Sequence, residues 1–149
     1  MRAVVQRTLS SSVTSEGVET GRAGAGLTVL LGVANEDDEK DAQYMADKIV
    51  HMRIFEDDQG KLNRSLLDIG GDMLIVSQFT LYGDVRHGRR PGFVQAAPPV
   101  LAETLYEQFV ACVEDMGIRT ASGRFRTEMV VSLENYGPVT LLVDSKKVF

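Results

Sequence analysis

With 44% hydrophobic and 25% charged residues over 149 positions, the chain has the composition of an ordinary globular domain, which excludes a disordered, collagen-like or coiled-coil protein. A net charge of −5 and a pI near 5.0 exclude a protein that coats duplex nucleic acid, since neutralising phosphates needs a broad basic face. The one cysteine, Cys112, excludes an internal disulfide and suits a reducing cytoplasm. No apolar run is long enough to span a bilayer.

Arg2–Thr8 is rich in β-branched residues and reads as a strand that turns polar too soon to be a cleavable leader. Ser11–Thr20 reads as a hairpin turning at Ser15-Glu16-Gly17. The Gly-dense stretch 21–26 leads into Leu27–Val33, a continuous apolar run suited to a buried strand, so it is a turn and not a phosphate loop opening a helix. Asn35 is placed to cap a helix whose first turn is acidic, with Ala42, Met45, Ile49 and Met52 at helical spacing. Arg53–Glu56 reads as a strand, residues 57–60 as its turn, and Met73–Leu81 as the strongest strand in the chain. Gly83–Pro98 is a polar loop with a Gly/Arg/Pro centre. Pro98-Pro99 then open a second helix that buries Leu101, Leu105, Phe109 and Val113, with Cys112 as core packing, and ends at Gly117. Thr127–Leu133 and Val139–Val143 read as a last strand pair around Asn135-Tyr136-Gly137-Pro138. These elements make one domain over residues 1–149: an α/β fold of mixed sheets with two helices packed on one side.

The common catalytic inventories are missing. His51 and His87 are the only histidines, and neither has Cys or carboxylate partners at metal-ligand spacing, so no metal and no nucleotide cofactor is implied. Two polar segments stand out. Ser77-Gln78-Phe79-Thr80 closes an apolar strand, and its polar groups either emerge into solvent or line a cavity. Asn135–Pro138 has, by residue type, the make-up of a hairpin turn with Gly137 at positive φ. Arg86, Arg89 and Arg90 form a small basic cluster, either a solvated loop or a phosphate-binding one. Arg7 is either a surface charge or a side chain that reaches inward.

Taken in order, Ala3–Arg7, Ser11–Thr14, Leu30–Val33, Arg53–Phe55, Ser77–Leu81, Arg90–Phe93, Gly123–Phe125 and Asn135–Thr140 resemble the D-aminoacyl-tRNA deacylases along nearly the whole chain. The resemblance implies a cytoplasmic homodimer that hydrolyses the ester joining a D-amino acid, or glycine, to the 3′ end of tRNA, acting on neither DNA nor membranes. It implies an active site at the dimer interface. There Ser77, Gln78, Phe79 and Thr80 of one subunit face Gly137-Pro138 of the other, with a cis Gly-Pro bond whose carbonyls point into the pocket. Arg7 would hold the Gly-Pro segment, and Arg86, Arg89 and Arg90 would meet the tRNA.

An aminoacyl ester is already reactive, so backbone N–H groups near Gln78–Thr80 that hold the oxyanion suffice, and they stand ahead of a Thr80 nucleophile that lacks a base. Tyr136 and Gly92 depart from the residues many members carry. The alternative is a catalytically inactive RNA-end or partner-binding module of the same fold. A general esterase is disfavoured by the lack of a nucleophile elbow or triad.

Overall fold

Arg2 to Ser15 form one unbroken strand, β1, extending the expected Arg2–Thr8 strand straight into the hairpin. The computed structural model describes all residues, Met1–Phe149. Glu16 and Gly17 turn the chain at φ 51° and 78°, and β2 (Val18–Ala23) returns along residues 11–15 of β1. The rest of the same β1 edge, residues 2–8, pairs antiparallel with β3 (Gly26–Gly32). β3 pairs in parallel with β6 (Asp72–Ser77), and β6 in parallel with the short β7 (Thr120–Ser122). The ends of this sheet curl together. A Cβ on Gly21 of β2 would lie 2.6 Å from the Ser122 carbonyl oxygen of β7, so only glycine allows the approach that nearly closes the sheet. Between β3 and β6 a small ribbon, β4 (Phe55–Glu56) and β5 (Leu62–Arg64), turns around residues 57–60, where the Asp57 carboxylate accepts the N–H of Gln59 and of Lys61.

The continuous apolar run of β6 is explained by burial on both faces. Leu74 and Val76 point into a small interior with Val13 and Ala23. Met73 and Ile75 point outward, with Ala3, Val5, Val29 and Leu31, onto α1 (Glu39–His51) and α3 (Pro99–Asp115). Phe109 of α3 is wholly buried there, and each side chain of that kind is worth roughly 1.5–3 kcal/mol of transfer free energy. No helix is long and apolar enough to cross a membrane.

Four expectations need correction. The cap of α1 is Asp38, whose carboxylate accepts the N–H of Lys40 and Asp41, while the Asp41 carboxylate accepts the Asp38 N–H. Asn35 serves elsewhere: its side-chain amide donates to the Val94 carbonyl at 2.7 Å and so pins the 83–98 loop. There are three helices rather than two. α2 (Leu66–Ile69) is one turn, too short to show periodicity, marked only by its Ser65 cap and by Gly70 at φ 62°. β6 stops at Ser77, and Phe79–Tyr82 form a 3₁₀ turn, so strand alternation does not sort Ser77–Thr80 between two faces. Finally, Met129–Asp144 is one strand, β8, not a hairpin around Asn135–Pro138, and Gly137 is not at positive φ. Both halves of β8 pair with the outer edge of β1, because β1 is long enough to template sixteen residues.

Asp41 ties α1 to the C-terminal end of the sheet. Burial alone would push its carboxyl up, but hydrogen bonds from Lys146 (2.8 Å), Ser145 and the Asp38 N–H outweigh that and hold it down at about 2. A folded-state value below the ordinary 3.8 stabilises the fold above about pH 4, and the contribution is lost as pH falls toward 2. Asp41→Asn should therefore cost about 2 kcal/mol at pH 7 in urea unfolding, and the gap to the parent chain should close as the pH approaches 2. A gap that does not change with pH would show that the carboxylate's charge is not what stabilises.

Candidate active site at the end of the parallel strands

β3 and β6 run side by side in the same direction, so their C-terminal ends open on one rim, the usual place for a site in a parallel pair. A cavity of about 700 Å³ lies there. Leu31 of β3, Val33 just beyond it, and Val76 and Ser77 of β6 line it, as do Pro99, Ala102 and Tyr106 of α3 and the segment from Phe125 to Met129. The Tyr106 hydroxyl donates to the Ile75 carbonyl at 2.8 Å and so anchors α3, and burial pushes it up to about 12.

Gln78 follows the strand and caps the 3₁₀ turn. Its N–H donates to the Leu31 carbonyl at 2.8 Å, carrying the ladder one residue beyond β6. The first bond of the turn runs from the Leu81 N–H to the Gln78 carbonyl, so the N–H groups of Phe79 and Thr80 precede it, and no side chain caps them. The turn lies close against β3: a Cβ at Gly32 would stand 2.9 Å from the Gln78 carbonyl oxygen. Gln78 Nε2 donates to Thr80 Oγ1 at 2.5 Å, which makes the Thr80 hydroxyl an acceptor from its neighbour. No histidine, lysine or carboxylate contacts it. Ser77, Gln78 and Phe79 line the cavity, and Thr80, next in the turn, does not. The Phe79 ring stays 55% exposed and packs edge-on against Phe93 at 4.9 Å.

Phe93 comes from the 83–98 loop, which is ordered despite its length. Asp84 and Gly92 exchange both backbone hydrogen bonds, and the Ala97 N–H donates to the Val33 carbonyl at 2.9 Å. Arg86 folds back on Asp84 (Nε–Oδ1 2.9 Å, Nη2–Oδ2 2.6 Å), and that guanidinium holds the Asp84 carboxyl down at about 2. Arg89 and Arg90 remain exposed with no such partner, and none of the three arginines lines the cavity. Gly92 is not a strained position, since a Cβ there would meet nothing within 4 Å.

Gly137-Pro138 lies elsewhere. Thr8 of β1 faces Asn135 and Gln6 faces Thr140, so four residues of β8, Tyr136 to Val139, bulge out opposite the single residue Arg7. The Gly137-Pro138 bond is cis, and both residues are exposed and outside the cavity of their own chain. Arg7 is 2% exposed, the inward-reaching of the two roles open to it. Its Nε donates to the Tyr136 carbonyl at 3.0 Å and its Nη1 to the Ile54 carbonyl at 2.9 Å, with the guanidinium 4.4 Å above the Tyr136 ring. Tyr136 thus gives the arginine both a carbonyl and an aromatic face.

Sequence reasoning did not single out Tyr106, Arg126, Thr127, Glu128 or Met129 as lining residues. Only the Gly123–Phe125 segment hinted at this wall. No three His, Cys, Asp or Glu side chains are grouped to hold a metal.

A polar turn with uncapped backbone N–H groups beside a largely apolar cavity is the geometry of a class of sites able to hold an oxyanion. Residues 4–144 match the model of the family described as D-Tyr-tRNA(Tyr) deacylase, and the chain belongs to that family. Hydrolysis of D-aminoacyl-tRNA is the enzymatic activity this membership supports. The "D-aminoacyl-tRNA deacylase" of Desulfatibacillum aliphaticivorans is 61% identical over 146 residues, 98% of this chain and 100% of the relative. That of Clostridioides difficile (strain 630) is 56% identical over 149 residues, covering 100% of both. Among solved structures, a "c-Myc DNA Unwinding Element Binding Protein" superposes with a TM-score of 0.90 at 38% identity over 97% of this chain and 98% of its own. A probable eukaryotic D-amino acid tRNA deacylase does so with 0.82 at 21% identity over 95% and 97%, a likeness of fold alone.

Because the Thr80 hydroxyl has no base and accepts from Gln78, Thr80→Val should keep kcat for D-aminoacyl-tRNA within about ten-fold, whereas loss of a true nucleophile costs on the order of a thousand-fold or more. Single-turnover hydrolysis measures the difference. A loss of the larger size would make Thr80 the nucleophile.

Proposed function

We propose that this chain removes D-amino acids from tRNA by hydrolysing the ester at the tRNA 3′ end, that glycyl-tRNA is a second substrate, and that L-aminoacyl-tRNA is rejected. The observation that carries this reading is the uncapped pair of N–H groups, Phe79 and Thr80, in the turn beside a cavity whose one carboxylate, Glu128, is hydrogen-bonded to no nucleophile. Water attacks the ester carbonyl, the tetrahedral oxyanion is held by those two N–H groups, and the ribose oxygen leaves with the water's proton, relayed by the neighbouring ribose hydroxyl. One preorganised donor of this kind is worth about 10²–10³ in rate, enough for an ester that is already activated. The reaction takes place in the cytoplasm, where charged tRNA is found, and needs no cofactor. Arg89 and Arg90 are placed to meet the tRNA beyond the pocket, with Arg86 released from Asp84 as a third contact. Duplex DNA is not a partner in this reading, because a chain of net charge −5 has no broad basic face to offer it.

The active form in this reading is a homodimer. Gly137 and Pro138 are exposed and line no part of their own cavity, so in this reading they meet the substrate in the pocket of a second copy. Their carbonyls would grip the α-amino group and leave no room for an L side chain, a filter that glycine passes because it has none. Supporting this, β8 has an unpaired outer edge and carries exposed Val130 and Leu142, the kind of long apolar edge that a second chain covers.

The test is hydrolysis of one tRNA charged in turn with the D and L forms of one amino acid. The D ester should be released at least about a hundred-fold faster, a difference of two decades in transition-state binding. Comparable rates would sink the proposal, and binding of tRNA with no hydrolysis of either ester would favour the inactive module. Leu142→Arg should give a folded monomer by analytical ultracentrifugation that has lost deacylation; a fully active monomer would remove the second subunit from the site.

A further inference from the structure

The cavity wall formed by Phe125–Met129 contains the only cation that lines the pocket, and that cation sits on unusual backbone. Arg126 has φ +59°, in the left-handed region where glycine carries no penalty and an L side chain does. The turn around it is built without its side chain. Thr127 Oγ1 donates to the Arg124 carbonyl at 2.8 Å and accepts from Ser15 Oγ at 2.6 Å, while Arg124 pairs with Glu16 at 3.4 Å. The Arg126 guanidinium takes part in none of this. It is exposed and forms no hydrogen bond or ion pair within the chain, even though Glu128 lies on the same wall. An arginine that costs the backbone and gives the fold nothing is accounted for by a ligand.

We propose that Arg126 is a positioning residue that grips the phosphodiester on the 5′ side of the nucleotide bearing the ester. The inference rests on the reading above and extends it. A cavity of about 700 Å³ has room for an aminoacyl nucleoside, which leaves the next phosphate at the rim of a pocket that both Arg126 and the Gln78–Phe79 turn line. The planar guanidinium fork suits two phosphate oxygens, and an acidic protein needs a local cation to hold an RNA end at one register. Gripping the phosphate would set how far the ester carbonyl reaches toward the N–H groups of Phe79 and Thr80.

The experiment compares Arg126→Gly and Arg126→Lys with the parent protein on two substrates: D-aminoacyl-tRNA, and the same D-amino acid esterified to adenosine, which has no phosphate. Glycine relieves the backbone, so the variant folds and its Tm should rise by about 2–4 °C. On tRNA, Arg126→Gly should raise KM about ten-fold with kcat nearly unchanged, and make the salt dependence of binding shallower by about 0.7 in log–log slope, the share of one single-strand phosphate. On the adenosine ester it should change nothing. Arg126→Lys should restore the slope and most of the KM. Equal losses on both substrates, or an unchanged salt slope on tRNA, would overturn the proposal. Should the parent protein hydrolyse neither substrate, the functional reading fails. The phosphate contact is then judged from uncharged tRNA affinity by fluorescence anisotropy, where a weaker, less salt-sensitive Arg126→Gly supports it and an equal one overturns it.

Discussion

One strand hydrogen-bonded along both of its edges holds this fold together. β1 pairs with β3 and β2 on one side and with both halves of β8 on the other. Its position fixes where β3 runs, β3 fixes the parallel β6, and β6 delivers Ser77 and Gln78 to the rim where α3 closes over them. The same strand carries Arg7, which is buried where β8 bulges away from β1 and fills the gap with charge-assisted bonds to the Tyr136 and Ile54 carbonyls. The two segments proposed for the site are therefore placed by opposite edges of one element.

The site does little chemistry of its own. It lacks a nucleophile with a base and offers instead two N–H groups fixed by a turn that Gly32 allows to sit against β3. Such a device suits a substrate whose bond is already weak and whose identity, rather than its reactivity, is the problem. In the proposed reading, rate and selectivity come from different segments: the turn after β6 for the oxyanion, and a rigid backbone bulge for the shape of what enters. Each can then change without spoiling the other.

How far the sequence was legible depends on the range of the signal. The hairpin at Ser15–Gly17, the buried runs of β3 and β6, and the apolar stripes of α1 and α3 were readable because each is a local period or a turn residue. Asn35 and Asp38 are both good caps three residues apart, and only the loop that Asn35 ties down decides between them. The 79–82 turn resembled more strand, since Phe, Thr, Leu and Tyr all favour strands and the close approach to Gly32 is not a local property. Asn-Tyr-Gly-Pro reads as a hairpin anywhere, and it became a bulge because β1 extends far enough to pair beyond it. The cavity wall at Phe125–Met129 had no periodicity to betray it. Ser77–Thr80 and Gly137-Pro138 were singled out as site residues by the family resemblance alone; residue types read them as a strand end and a turn.

The bulge at Arg7 does not stand alone. From Thr8 to Gln6 two steps of β1 are matched by five of β8, and from Ser10 to Thr8 two steps of β1 are matched by one of β8. Each strand thus carries an odd number of extra residues, three on β8 and one on β1, and an odd shift moves a strand's side chains to its other face. Both strands accordingly change sides together: Ala3, Val5, Val139 and Val143 lie in the core against the helices, while Val13, with Val131 packed beside it, lies in the small interior. A loop built this way can lengthen or shorten in pairs and leave the sheet on either side as it was. A change by a single residue would set one half of β8 facing the wrong way against β1.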